Sequence, residues 1–350
     1  MQHIKSVTFR LNKMWLISIT IFSAMVGSIC HAAPGVYFEY KDWEVACDNT
    51  GTCRAAGYQA DENKPISLLL ERAAGVNAAL KGKINIDPEI TRPTTVTLYV
   101  GQQNLGVLKL SEQGALLSSS QVAALLPALQ TDVFIVLKQD QQRWQLSSAG
   151  SNAVLLKMDE FQKRAGTQSA LIKKGQLPNT QVRQATAVPK IAIPMIKNSK
   201  EKTVALNSML GQQLVKGLRT VSNDEQCEFL YQPNDFAQKI TLHALSPDST
   251  LVEFPCWMAA YNSGTGFWLM DHTLKNVKQV VSTSADDFSR GRISEGHKGR
   301  GVADCSSSKE WAWNGQRFVQ SYAARSNQCK GFLGGAWTLP TYVSEVIEPK

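Results

Sequence analysis

Apolar and polar positions alternate with a period of two near the start of the chain. Trp43, Val45 and Cys47 fall on one side and Asp42, Glu44 and Ala46 on the other, which predicts a strand. Asp48-Asn49-Thr50-Gly51 follows, and Asn and Gly accept the positive φ of a turn. Cys53-Arg54-Ala55-Ala56-Gly57-Tyr58 then returns antiparallel, and cysteines facing across such a hairpin lie within disulfide reach. The same reading predicts strands over residues 66–71 and 94–100, the latter pairing with 106–110. At Ser118-Ser119-Ser120-Gln121 a capping box opens a helix carried by Val122, Leu125, Leu126 and Leu129. Residues 132–138 and 143–146 predict a hairpin. A helix follows over 152–165, with Val154, Leu155, Met158 and Phe161 on its apolar face and Gly166 as its stop.

Residues 173–203 change character: Pro178, Pro189 and Pro194 stand among Gln, Thr, Lys and Asn, a semi-extended linker with room for short docked pieces such as 191–193. Beyond it, Leu206, Met209, Leu210, Leu214 and Leu218 make one helical face. Strands are then predicted over 240–244, 250–261, 266–271, 277–282, 310–313 and 317–322, the last two joined by Asn314-Gly315, a strong hairpin signal. The expected fold class is α+β, two domains, each a mainly antiparallel sheet with one or two helices. The expected boundaries are residues 33–172, the linker 173–203, and residues 204–350.

The N-terminus bears on compartment. Lys5, Arg10 and Lys13 precede an apolar run from Trp15 to Ile29, and Cys30-His31-Ala32-Ala33-Pro34 follows, the pattern of a secretory signal peptide over residues 1–32 cut near Ala32. The run is short for a membrane span, so the expected product is an exported, periplasmic protein that is not an integral membrane protein. The whole chain carries 37 basic and 29 acidic residues, +8. Losing the three leader cations leaves 34 against 29, +5. With no basic stripe interleaved with aromatics, nucleic acid is excluded as a partner. Cleavage also removes Cys30 and leaves Cys47, Cys53, Cys227, Cys256, Cys305 and Cys329, an even set that reads as a disulfide framework. Five residues separate Cys47 from Cys53, too many for a redox dithiol motif, and no histidine stands near at zinc-ligand spacing, so no metal and no cofactor is expected. Pairing of sequence neighbours, one of fifteen connectivities, keeps every bridge within one domain.

Four further motifs carry candidate chemistry. The stretch from Arg290 to Gly301 combines glycines with Arg292, His297, Lys298 and Arg300, a composition suited to anion capture as well as to a solvated turn-rich loop. Ser306-Ser307-Ser308-Lys309 has Ser-x-x-Lys spacing, but strand and turn residues follow where a nucleophilic serine would open a helix. Asp286, Asp287 and Asp304 with His297 could supply acid–base chemistry if they met in a cleft. The aromatics Trp257, Tyr261, Phe267, Trp268, Trp311, Trp313, Phe318, Tyr322, Trp337 and Tyr342 suit either a stacking platform or core packing.

The segments Asp42-Trp43-Glu44-Val45-Ala46-Cys47-Asp48-Asn49, Leu155-Leu156-Lys157-Met158-Asp159-Glu160-Phe161-Gln162-Lys163-Arg164, Lys298-Gly299-Arg300-Gly301-Val302-Ala303-Asp304-Cys305 and Gly335-Ala336-Trp337-Thr338-Leu339-Pro340-Thr341 resemble the bacterial exported family known as domain of unknown function 1176. The first half also resembles, more loosely, the invasion-associated locus B proteins. The first resemblance implies an exported protein with no established activity and no catalytic residues to carry over. The expected function is therefore non-catalytic binding at the cell envelope, to a protein, glycan or cell-wall fragment. The alternative is a hydrolase of an envelope polymer using the acids named above with His297.

Overall fold

A computed structural model describes residues 35–60, 64–87, 94–131, 133–196 and 201–349. The signal peptide expected over residues 1–32, with Cys30, lies outside them. The first half builds two antiparallel sheets. One holds β1 (Val36–Tyr40), β2 (Trp43–Cys47), β3 (Cys53–Tyr58), β4 (Ile66–Arg72) and β5 (Lys81–Ile86) in order, closed by β8 (Ala115–Leu117). The other, in the order β10-β9-β6-β7, holds β6 (Thr95–Val100), β7 (Gln103–Lys109), β9 (Ile135–Gln139) and β10 (Gln142–Leu146). Helices α1 (Ser119–Gln130) and α2 (Ser151–Phe161) complete this half. The capping box at Ser118 forms: its Oγ accepts the Gln121 N–H while the Gln121 side chain takes the Ser118 N–H.

The hairpin read from residues 43–58 is present, with Cys47 opposite Cys53 and the two bridged at a Cα–Cα distance of 3.9 Å. Trp43, Val45, Cys47, Ala55, Leu68 and Leu70 face one large core shared with α1, α2 and the second sheet. Gly57 is opposite Trp43, and a Cβ there would come within 2.2 Å of the indole, so only glycine lets the ring lie flat on β3. Arg72 and Asp159 form a buried ion pair of 2.6 Å beneath α2, and Asp159 also accepts the N–H groups of Leu171 and Ile172.

In the second half, β12 (Glu201–Ala205), β13 (Lys239–Ser246), β14 (Ser249–Met258), β15 (Ser263–Asp271) and β16 (Val277–Ala285) form a sequential antiparallel sheet, and β17 (Asp287–Ser289), β18 (Arg292–Lys298), β19 (Ser306–Trp313), β20 (Phe318–Ser326) and β21 (Pro340–Val343) form another. Helices α3 (Met209–Leu218) and α4 (Glu228–Tyr231) pack on one face of the first of these through Leu214, Leu218, Phe229 and Leu230. Cys227, just before α4, is bonded to Cys256 on β14. Its opposite face meets the β17–β21 sheet through Leu251, Phe267, Leu269, Ile293, Trp313 and Phe318. The Asn314-Gly315 turn joins β19 to β20 as read. The chain is thus mostly antiparallel sheet with few helices.

The two halves on either side of residues 173–203 are joined. Part of that stretch is docked: β11 (Lys190–Ala192) pairs in parallel with β22 (Glu345–Ile347), and Ile191 and Ile193 are buried against Ala312. The outer face of β2–β4 is covered from the far end of the chain. Phe332 and Leu339 bury Ala46, Ala56 and Tyr58, and Phe332 and Leu339 each contribute about 1.5–3 kcal/mol. Trp337 Nε1 donates to Ser67 Oγ (2.6 Å), Asn49 exchanges two hydrogen bonds with the Val343 backbone, and Lys330 pairs with Asp42 (2.8 Å). Glu44, fully buried, accepts from Tyr37 (2.5 Å), Tyr58 (2.6 Å), Ser326 (2.6 Å) and the Asn327 N–H (3.2 Å).

Candidate functional site

The basic stretch from Arg290 to Gly301 is not a loop throughout. Arg290 and Gly291 make a tight turn with positive φ, and residues 292–298 become β18, a central strand between β17 and β19. Its period of two holds: Ile293 and Glu295 are buried and His297 is half-buried, while Ser294, Gly296 and Lys298 are exposed. Ile293 is the strand's one large apolar residue, so charge masks the pattern. Burial is made tolerable by pairing: Glu295 meets Lys309 (2.8 Å) and accepts from Ser282 (2.8 Å), and the His297 ring packs edge-on against Trp257 (5.4 Å).

The four candidate anion-binding residues separate into two pairs. Arg292 is held by Glu348 (2.8 Å) and Glu310 (3.9 Å). Arg300 grips Asp304 with both Nε (2.7 Å) and a terminal nitrogen (2.5 Å) and donates to the Cys329 carbonyl (2.9 Å). Partial burial pushes the Asp304 carboxyl up, but the Arg300 hydrogen bonds, the Gly331 N–H and the Arg300 charge outweigh it and hold the group below the usual range. Arg292 thus ties β18 to β19 and to the C-terminal segment, and Arg300 organises the turn before Cys305. His297 and Lys298 instead line an open cleft of about 630 Å³ over the β18–β20 face, with Ser307, Lys309, Gln320 and Arg325. Strand register builds its floor: His297 stands opposite Ser307, and Ser307 opposite Arg325, one row across three strands. The side chain of Asn262 brackets Lys298, accepting its N–H and donating to its carbonyl, both at 2.9 Å, which fixes the rim.

Lys309 is already neutralised by Glu295. Among the described residues, Lys298 and Arg325 make no ion pair; Arg325 lies over the Tyr37 ring at 4.5 Å. Among the described residues no acid lines the cleft, so the free charge they give it is positive. The Nε2 atom of His297 is buried without a hydrogen-bond partner among the described residues. Ser307, Lys309 and Arg325 were missed as cleft residues by sequence reasoning, because only the register of three strands brings them beside His297. Ser306-Ser307-Ser308-Lys309 is strand, as its following residues indicated, and all four residues line this cleft.

The acids named with His297 do not line its cleft. Asp304 is engaged by Arg300. Asp286, an exposed residue, accepts the Gly296 N–H at 2.5 Å, and partial desolvation raises its carboxyl above the usual range. Asp287 is exposed on β17. Asp304, Cys305 and Cys329 place potential ligand atoms within 4.8 Å of one another, yet the sulfurs are bonded to each other and the carboxylate is taken by arginine, so this set offers a cation little. A second cavity, about 670 Å³, lies beside His243 and Phe288. There Nε2 of the imidazole meets Glu253 at 2.6 Å and Nδ1 faces Glu201 at 3.7 Å, so the ring ties β13 to β14 and β12. Of the aromatics, Phe267, Trp268, Trp313 and Phe318 are core, whereas Tyr261 is 63% exposed and lies along Gly301 near the rim.

Comparison with known proteins places the molecule. The uncharacterized protein YpfG of Escherichia coli (strain K12) is 25% identical over 351 residues, spanning 90% of this chain and 95% of that one. A likeness to a solved structure, the tail fiber of Staphylococcus aureus phage P68, has a TM-score of 0.15 at 7% identity over 85% of this chain and 69% of that one, and carries no argument. A profile of the family described as "Protein of unknown function (DUF1176)" matches residues 37–344, from β1 to the end of β21, and the chain belongs to that family.

Proposed function

We propose that this chain is an exported, periplasmic binding protein that holds an anionic glycan or cell-wall fragment in the β18–β20 cleft. Export is supported by the N-terminal pattern and by three disulfides. Among the described residues, no helix is long and apolar enough to cross a membrane. The observation that carries the binding reading is charge: among the described residues, Lys298 and Arg325 line the cleft without ion-pair partners, beside hydroxyl-bearing strands and with no lining acid. Such cations bind carboxylate or phosphate by charge-assisted hydrogen bonds, and the serines suit a hydroxyl-rich ligand. The hydrolase alternative needs its acids and His297 in one cavity; only the imidazole lines this one, which favours binding over catalysis.

The test is retention of the chain without residues 1–32 on purified anionic cell-wall polymer. The K298A/R325A variant is expected to lose about a hundredfold or more in affinity, since two charge-assisted contacts contribute roughly 1.5–3 kcal/mol each. R292A, whose guanidinium is occupied by Glu348, should bind as the parent does. Equal retention of K298A/R325A and the parent would refute the reading.

A further inference from the structure

The three disulfides are not equivalent. Cys47, Cys53, Cys227 and Cys256 are fully buried. Cys305 is 3% exposed, Cys329 is half-buried, and both line the cleft. Thiol–disulfide exchange requires a thiolate to reach one sulfur in line with the bond that breaks, so a bridge in a cleft wall differs in kind from one sealed in a core. We propose that Cys305–Cys329 is a thiol-exchange site, opened by an exported dithiol protein and re-closed by the disulfide form of that protein, which takes back the two electrons, while the other two bridges are inert.

The surroundings choose the sulfur. Gly299 lies so close to Cys305 that a Cβ there would come within 2.6 Å of Sγ. Backbone therefore shields that sulfur, and attack comes at Cys329. Lys298 and Arg325 line the same cleft and draw an incoming anion toward it. The partner's thiolate forms a bond to Cys329 Sγ, the Cys305–Cys329 bond breaks, and its electron pair leaves on Cys305 Sγ. The partner's second thiolate then attacks its own sulfur in the mixed disulfide and releases Cys329. The partner dithiol is oxidised to a disulfide, the chain's bridge is reduced by two electrons, and two protons pass through solvent from partner thiols to the chain's cysteines.

The opened site stays assembled. Arg300 still bridges Asp304 and the Cys329 carbonyl, Asp304 still accepts the Gly331 N–H (2.7 Å), and Lys330 still pairs with Asp42. The two thiols are thus kept near each other for re-oxidation. What changes is the covalent tie between the 299–305 turn and the 327–331 segment, at the wall of the cleft. Exchange does not depend on which ligand the cleft holds.

The test uses the folded, oxidised chain without residues 1–32 and graded reduced glutathione as a monothiol probe, with iodoacetamide quenching and non-reducing peptide mapping. Circular dichroism taken alongside verifies that the protein stays folded. The expected result is a glutathione adduct on Cys329 and an alkylated Cys305, appearing at least about tenfold faster than any change at the other four cysteines. Adducts on Cys305, opening of another bridge at a comparable rate, or survival of all three bridges up to the concentration that unfolds the protein would each overturn the proposal.

Discussion

Replacing Glu44 by leucine probes the junction between the halves. The substitution keeps a branched side chain of similar size and removes four accepted hydrogen bonds at a fully buried site. Not all four donors are orphaned. Tyr37 keeps Glu39 as an acceptor (2.8 Å), the Asn327 N–H keeps Tyr37 (3.0 Å), and the Tyr58 and Ser326 hydroxyls can pair with each other. What remains is about one unsatisfied hydroxyl plus several half-satisfied groups. At about 1–3 kcal/mol for each unsatisfied buried group, the expected loss is about 3 kcal/mol. Glu44→Gln separates the charge from the hydrogen bonds. Burial pushes the Glu44 carboxyl above its ordinary 4.5, against the lowering effect of its hydrogen bonds, so the folded state holds this proton more tightly than the unfolded chain does. Its contribution is fully present below 4.5 and is lost as pH rises through the folded value. The stability of the parent minus that of E44Q should therefore shrink, or change sign, between about pH 4 and about pH 8. Guanidinium unfolding followed by tryptophan fluorescence measures both. A Leu variant within about 1 kcal/mol of the parent, or a parent–Gln gap that widens with pH, would refute the reasoning.

Asp159→Ala should cost about 3–5 kcal/mol in the same assay, because it leaves Arg72 buried without its counter-charge; a cost under about 1 kcal/mol would mean that Gln162 and the Ser169 carbonyl suffice for Arg72. Among the bridges, C227S/C256S, closing a separation of 29 residues, should cost about 3.5 kcal/mol by loop entropy against about 2–2.5 kcal/mol for C47S/C53S. The reverse order of unfolding midpoints would show that local packing, not chain entropy, sets their worth.

How much of this was legible depended on whether a signal was local. Trp43, Val45 and Cys47 announce their strand because one face of it is uniformly apolar, and Asn49 and Gly51 announce the turn. Ser118 and Gln121 announce a helix start through chemistry confined to four residues. β18 was hidden because a strand with Arg292, Glu295, His297 and Lys298 reads as surface unless the partners Lys309, Ser282 and Trp257 are known. β5 was missed for a similar reason: Lys81 and Lys83 interrupt a strand whose buried apolar residues are only Ile84 and Ile86. Glu44 misleads in the opposite direction, since an acid on the polar side of an alternating strand promises solvent, and nothing near it reveals a cover arriving from residues 326–343. The cleft floor was illegible for the same reason, because the row His297–Ser307–Arg325 exists only once three strands have found register.

That late cover orders events in time. Asn49 must wait for Val343, Ser67 for Trp337 and Glu44 for Ser326, so a ribosome-bound, unfinished chain presents its first sheet with one side bare. Long-range closures of this length are slow and leave such surfaces open meanwhile. A chain shortened by a few tens of residues at its C-terminus would keep that side uncovered for good, and a protease or chaperone could tell a finished molecule from an unfinished one by that side alone.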